Sequence, residues 1–275
     1  MAELALNAAL QPRPERPIKP DRAESRYASA NGKEPMTAPI EIHFWPTPNG
    51  YKIVIACEEM GLPYEIKPVN IGRGDQFDPA FQALSPNGRM PAIVDPEGPD
   101  GQPISVFESG AILQYLGRKT GQFYGADERQ RVQVEEWLFW QMAGLGPMAG
   151  QAHHFRGYAP AMLPDRRFTA YGAIRYTNEV HRLYGVMNRR LEGREYLAGD
   201  YSIADMAAWP WVRPWKMQGI DLDEFPNVKV WSTRIGERPA VTQAIQVGEN
   251  LRRATDLAAP DAEAARKILF GQRAR

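Results

Sequence analysis

From Ile40, the residues Ile42, His43, Phe44 and Trp45 form a short β-prone run that stops at Pro46 and Pro48. Gly50 to Met60 then places Ile53, Val54 and Cys57 at helical spacing, and Gly61 with Pro63 ends the helix. Tyr64 to Val69 reads as a second strand. A polar loop through Gly72, Arg73, Gly74 and Asp75 leads to a short helix over Asp78 to Ala83, and Ser85-Pro86-Asn87-Gly88 is a turn signal. Met90 to Asp95 and Ile104 to Phe107 read as third and fourth strands joined by a hairpin over Pro96 to Gly101. Ser109 to Arg118 reads as a helix that turns Ile112, Leu113 and Leu116 inward. The order is βαβ, then α, then ββα.

After Gly121 the period changes, and no convincing strand follows. Tyr176, Val180, Leu183, Met187 and Leu191 step by threes and fours along one amphipathic helix, and Trp137 to Trp140 belong to an earlier one. Ser202-Ile203-Ala204-Asp205 has the form of a capping box, which opens a helix so apolar, through Met206, Ala207, Trp209 and Trp211, that it is expected at the centre of the helical half. Pro226 and Pro239 start two further helices, and Asp261 to Phe270 reads as one surface helix before a basic end. These boundaries divide the chain into an extended arm over 1–39, an α/β region over 40–120, an all-α region over 127–250 and a tail over 251–275.

Composition narrows the chemistry. A chain of 275 residues with 43% hydrophobic residues can bury a substantial core, whereas the first 39, with Pro12, Pro14, Pro17, Pro20 and Pro35 among many charges, cannot do so alone. Lys plus Arg (33) balances Asp plus Glu (33), so no global field draws the chain to nucleic acid or an anionic membrane surface. No apolar run approaches the roughly 20 residues of a membrane span, and Met1 to Leu10 lacks the basic start of a signal peptide. The lone Cys57 excludes an intrachain disulfide, a CxxC pair and a thiolate zinc cage, which points to a cytoplasmic protein. His153 and His154 are adjacent, not at i,i+4 spacing, so no metal site is expected.

Four short motifs then occur in order: Thr47-Pro48-Asn49-Gly50 after strand one, Arg89-Met90-Pro91 at strand three, Glu108-Ser109-Gly110 after strand four, and Ser202 to Asp205. Together, from about Glu41 to about Gln246, they resemble the cytosolic glutathione transferases, which pair a thioredoxin-like α/β domain with an all-α domain. The Thr-Pro-Asn-Gly turn, Gln76-Phe77 and Trp209-Pro210-Trp211 look most like the bacterial Nu class, associated with glutathione-dependent disulfide reduction.

The resemblance implies glutathione as co-substrate, no metal and a homodimer. It places a thiolate at the first helix N-terminus, where Thr47 and Asn49 can donate hydrogen bonds to sulfur and neither can itself act as a covalent thiol. Gln76 and Arg89 are expected near the glycyl end, Met90 to bind by its backbone beside a cis-proline at Pro91, and Glu108 and Ser109 to take the γ-glutamyl ammonium and carboxylate. His154, Arg156, Tyr158 and Trp215 are expected to line the acceptor pocket or hold a second glutathione. Each motif also has a plain structural reading: an Asx turn, a strand-start proline, a helix cap, a surface charge. Cys57 lies two helical turns past Asn49 and reads as a core thiol. Three functions fit: a thiol-disulfide oxidoreductase; a lyase or transferase on aromatic ethers or thioethers, with Phe155, Tyr158 and Trp215 toward an aryl group; and a non-catalytic regulatory or binding protein, since the turn is also similar to the globular part of a yeast nitrogen regulator.

Overall fold

Alternation fixes the first strand: β1 (Ile40–Phe44) buries Ile40, Ile42 and Phe44 while Glu41 and His43 are only partly covered. It lies inside a four-stranded sheet of order β2-β1-β3-β4, parallel to β2 (Tyr64–Pro68) and antiparallel to β3 (Ala92–Asp95), which pairs antiparallel with β4 (Ile104–Phe107). A computed structural model describes residues 38–163, 165–256 and 262–272. The expected arm, apart from residues 38 and 39, lies outside the described residues. Strand β3 begins at Ala92 and not at Met90, because proline offers no N–H to a ladder; the Met90–Pro91 peptide is cis.

Helix α1 (Pro48–Met60) connects the two parallel strands. Thr47 caps it, Pro48 takes the position whose N–H has no partner in a helix, and Gly61 ends it at φ 65°, donating to Cys57 and Glu58 carbonyls. Helix α2 (Pro79–Leu84) is short and capped by Asp78. Helix α3 (Ser109–Thr120) packs Ile112, Leu113 and Leu116 inward. The fully buried Asp95 accepts from Tyr115 and Lys119, which pins β3 to α3.

Beyond residue 121 the regular elements among the described residues are helices, with isolated bridges between Tyr196 and Gly199 and between Ala198 and Asp200. Helix α4 (Glu128–Trp140) runs through a π-helical turn, Gln141–Leu145, into α5 (Gly146–His153), and a second π-helical turn, His154–Tyr158, follows. The long α6 (Arg167–Arg190) buries Val180, Leu183, Tyr184 and Met187 on one stripe. Central to this half is α7 (Ile203–Val212), buried along nearly its whole length. Its capping box forms, and Asp205 also accepts from the Leu197 N–H at 3.0 Å and the Trp231 indole at 2.9 Å. Helices α8 (Pro226–Gly236) and α9 (Pro239–Asp256) start at the expected prolines, and α9 continues past residue 250. α10 (Ala262–Phe270) follows. Because α1 packs against α3, α7 and α9, the sheet and the helices share one hydrophobic core, and the N-terminus of α1 opens at their seam. None of the described helices is long and apolar enough to cross a membrane.

Candidate functional site

The chemistry gathers where α1 begins. Thr47 Oγ1 accepts from the Gly50 N–H at 3.4 Å, its carbonyl accepts from Tyr51, and Pro48 has no N–H to satisfy. The Asn49 amide is therefore the first-turn donor without an acceptor among the described residues, and no acidic side chain of that turn offsets the positive helix end. The Thr47 hydroxyl turns its proton toward Met90 Sδ at 3.7 Å, a weak acceptor that a stronger anion can displace. Asn49 Oδ1 is taken by the Trp211 indole N–H at 2.8 Å, which leaves the amide Nδ2 donors for another partner. Helix end, hydroxyl and amide all offer donors to one small volume.

Around them lies a cleft of about 520 Å³, within the usual range for small-molecule sites. Thr47, Asn49, Gln76, Arg89, Met90, Glu108 and Ser109, all singled out from sequence, line it. Gln76 is 2% exposed; its Nε2 donates to the Ile71 carbonyl at 3.2 Å, while its Oε1 is buried with no partner, an acceptor suited to an incoming N–H. Met90 lies outside the strand ladder. Glu108 sits at φ 68°, a left-handed conformation that costs a non-glycine residue about 1–3 kcal/mol, and its side chain caps nothing. The carboxylate is thus held at the mouth of α3 without being used there. Arg89 stands at the rim, donating to Gln272 Oε1 at 2.8 Å.

Several residues of this wall were not legible as site residues. Trp211, expected in the core, lines the cleft; its ring stacks on His153 at 6.0 Å and rests against Gly146 and Gly150, where a Cβ would meet the indole at 3.5 and 3.4 Å. Positions 209 and 211 are about 200° apart around a helix, so the two indoles point to opposite sides, and Trp209 bonds the Ser232 carbonyl on α8 at 2.9 Å. That angular spacing was the available signal. Leu269, Phe270 and Gln272 also line the cleft, so the segment expected as a plain surface helix covers one wall of it.

The expected acceptor residues separate into two groups. His154 and Tyr158 meet Phe270, at ring distances of 4.7 and 5.4 Å, and so reach the cleft wall through α10. Burial lowers the pKa of His154, which favours its neutral ring. Arg156 instead lays its guanidinium on Gly219, where a Cβ would clash at 2.4 Å, and Trp215 lines a separate hollow of about 390 Å³ with Asp221 and Lys229. Neither lines the cleft. Phe155 stacks on Tyr176 at 5.4 Å within the helix packing. Cys57 is fully buried and its thiol is pushed far up by that burial, so it supplies no thiolate to the cleft. Among the described residues, no three His, Cys, Asp or Glu side chains converge as metal ligands.

Comparison with known proteins places this architecture. The family profile described as "Glutathione S-transferase, N-terminal domain" matches residues 47–119, and that described as "Glutathione S-transferase, C-terminal domain" matches residues 175–239. The disulfide-bond oxidoreductase YfcG of Escherichia coli (strain K12) is 50% identical over 208 residues, which span 75% of this chain and 94% of that protein. Among solved structures, a glutathione transferase from Pseudomonas putida with one glutathione disulfide bound per subunit aligns with a TM-score of 0.71 and 44% identity. That alignment covers 76% of this chain and 91% of the other. A glutathione transferase from Burkholderia graminis with two glutathione molecules bound per subunit aligns at 0.70 and 43%, covering 75% and 87%. With both domains matched in order and half of the aligned residues shared with a relative covered almost end to end, the chain belongs to the glutathione S-transferase family.

Proposed function

We propose that the protein is a glutathione-dependent thiol-disulfide oxidoreductase in which glutathione supplies the only nucleophile. The observation that carries this reading is the combination at the α1 N-terminus: convergent donors from Thr47, Asn49 and the helix end, with no reactive protein thiol in the cleft. A free thiol is mostly protonated near neutral pH, and hydrogen-bond donors at a positive helix end lower its pKa, so the site favours glutathione thiolate. Thr47 donates its hydroxyl to the sulfur and Asn49 its amide. Gln76 accepts the peptide N–H and Arg89 meets the glycyl carboxylate at the rim. Met90 pairs through its backbone, and Glu108 and Ser109 take the ammonium and the carboxylate of the γ-glutamyl end.

The reaction balances in two exchanges. Glutathione thiolate attacks one sulfur of a disulfide, forming a mixed disulfide and expelling a thiolate that takes up a proton. A second glutathione thiolate attacks the glutathione sulfur of that mixed disulfide, yielding glutathione disulfide and the second thiol. The bound states of the two neighbours, one with glutathione disulfide and one with two glutathiones, support this sequence by likeness. The aryl reading has less support, since Phe155 and Trp215 do not line the cleft. His154 and Tyr158 remain the candidates for the acceptor wall, behind Phe270.

Thr47→Ala and Asn49→Ala each lower kcat/KM for glutathione-dependent disulfide reduction, on the order of 10- to 100-fold, the scale of losing a donor to a developing anion. If both variants kept full turnover, the thiolate would lie elsewhere. The active species in this reading is a homodimer cytoplasmic in location, with exposed Val132 and Phe139 on α4 as apolar surface suited to a partner copy. Sedimentation velocity checks the dimer: a species of twice 30.9 kDa is expected, and a monomer at micromolar concentration would contradict it.

A further inference from the structure

Lys52 lies on α1, 1% exposed, in a place where amphipathic patterning expects an apolar side chain. Its ammonium donates to Gln141 Oε1 at 2.7 Å, to Ser109 Oγ at 3.3 Å and to Met142 Sδ at 3.3 Å. Those three contacts use all three N–H bonds, and every acceptor is neutral. A buried cation without a counter-charge is costly, and burial pulls the Lys52 pKa down to about 7, opposed only by the charge of Glu108. Among the described residues no carboxylate contacts the ammonium, and a bound anion would complete its charge balance beside Glu108.

Three features fix the arrangement. The π-helical turn after α4 brings Gln141 and Met142 onto α1, and Gln141 is itself fully buried. Gly110 makes room for that turn, since a Cβ there would stand 3.1 Å from Met142 Cγ. Ser109 sits between Lys52 and the cleft, lining the cleft while its Oγ accepts from the ammonium. With its oxygen facing Lys52, the hydroxyl has its proton free to donate to a cleft anion in place of the weak Met142 sulfur at 3.6 Å.

We propose that Lys52 is a positioning residue of the γ-glutamyl subsite, supplying through Ser109 the buried positive charge that balances the α-carboxylate of glutathione. Lys52 behind Ser109 and Glu108 beside it then form a charge pair opposite in sense to the zwitterionic end of the peptide. In a low-dielectric seam such a field acts across the serine without direct contact. The inference rests on the assignment of that carboxylate to Ser109 made above.

The test is isothermal titration of S-methylglutathione and of its analogue lacking the α-carboxylate, the S-methyl derivative of 4-aminobutanoyl-Cys-Gly. The wild-type protein is expected to bind the first at least about 10-fold more tightly, the scale of a charge-assisted hydrogen bond. Lys52→Met is expected to bring that ratio to about threefold or less while leaving affinity for the analogue unchanged, which simple loss of structure would not do. Gln141→Glu, which gives Lys52 an internal counter-ion and keeps the buried cluster, is expected to compress the ratio in the same way and decides the matter if Lys52→Met does not fold. A wild-type preference that persists in the variants, or equal loss of both ligands, overturns the role of Lys52 alone. A wild-type ratio near one overturns the assignment of the carboxylate to Ser109 and the inference with it.

Discussion

Trp211 and Asn49 are 162 positions apart and joined by one hydrogen bond, which makes the orientation of a single amide depend on the packing of the helical half. In the proposed mechanism, with Oδ1 held by the indole, the Nδ2 group meets the glutathione thiolate as a donor; released, the amide can turn its oxygen toward the sulfur and repel it. Trp211→Phe keeps an aromatic ring against Gly146 and Gly150 but removes the N–H. It is expected to lower kcat for disulfide reduction about 10-fold, equivalent to about 1.4 kcal/mol, with little change in melting temperature. Trp209→Phe, which loses a bond to the Ser232 carbonyl away from the cleft, is expected to do the reverse. Steady-state kinetics beside thermal unfolding of the two variants separates them. Of the cleft residues singled out from sequence, Thr47, Asn49, Glu108 and Ser109 lie in motifs of a local turn or a helix start. Trp211 and Lys52 make their contacts across the seam, to Asn49 and to Gln141; spacing along the helix could set Trp211 apart from Trp209 but could not name either partner.

At the scale of elements, α7 is the helix on which the second half is built, and its start is held by one carboxylate. Asp205 accepts from Ser202 and Leu197 amides and from the Trp231 indole, yet complete burial still raises its pKa to about 6. An unfolded aspartate titrates near 3.9, so between about pH 4 and pH 6 the folded chain holds a proton that the unfolded chain has lost. The contribution of this group to stability is therefore full below about pH 4, falls as pH rises through about 6, and is flat above it. The stability difference between wild type and Asp205→Asn, from denaturant unfolding across pH 4 to 7, is expected to narrow in that window. A difference independent of pH would contradict the assignment. The capping box itself was readable, because Ser202 and Asp205 are three residues apart and precede an apolar run. The position of α10 was not, because a short amphipathic helix carries no record of the surface it covers; here Leu269 and Phe270 cover one wall of the cleft.

The whole molecule places its candidate site where two differently built halves share a core. The α/β half supplies β1 and the cis Met90–Pro91 segment just before β3, α1 and α3 supply two helix N-termini, and α7 and the π-helical turn after α4 supply the side chains that hold Asn49 and Ser109 in place. This division explains why the order of strands and helices could be read from periodicity, whereas the finished cleft could not: some of its supports come from the other region. In the proposed reaction the nucleophile comes from outside the chain, because the single cysteine is buried in the core. The most direct test is steady-state reduction of 2-hydroxyethyl disulfide by glutathione, coupled to glutathione reductase and run beside aryl thioethers and chlorinated aromatics. Saturable disulfide turnover that persists in Cys57→Ala, with little arylation, is the expected result. Thioether cleavage without disulfide turnover, or disulfide turnover abolished by Cys57→Ala in a protein that remains folded, would contradict a mechanism whose only thiolate is that of glutathione.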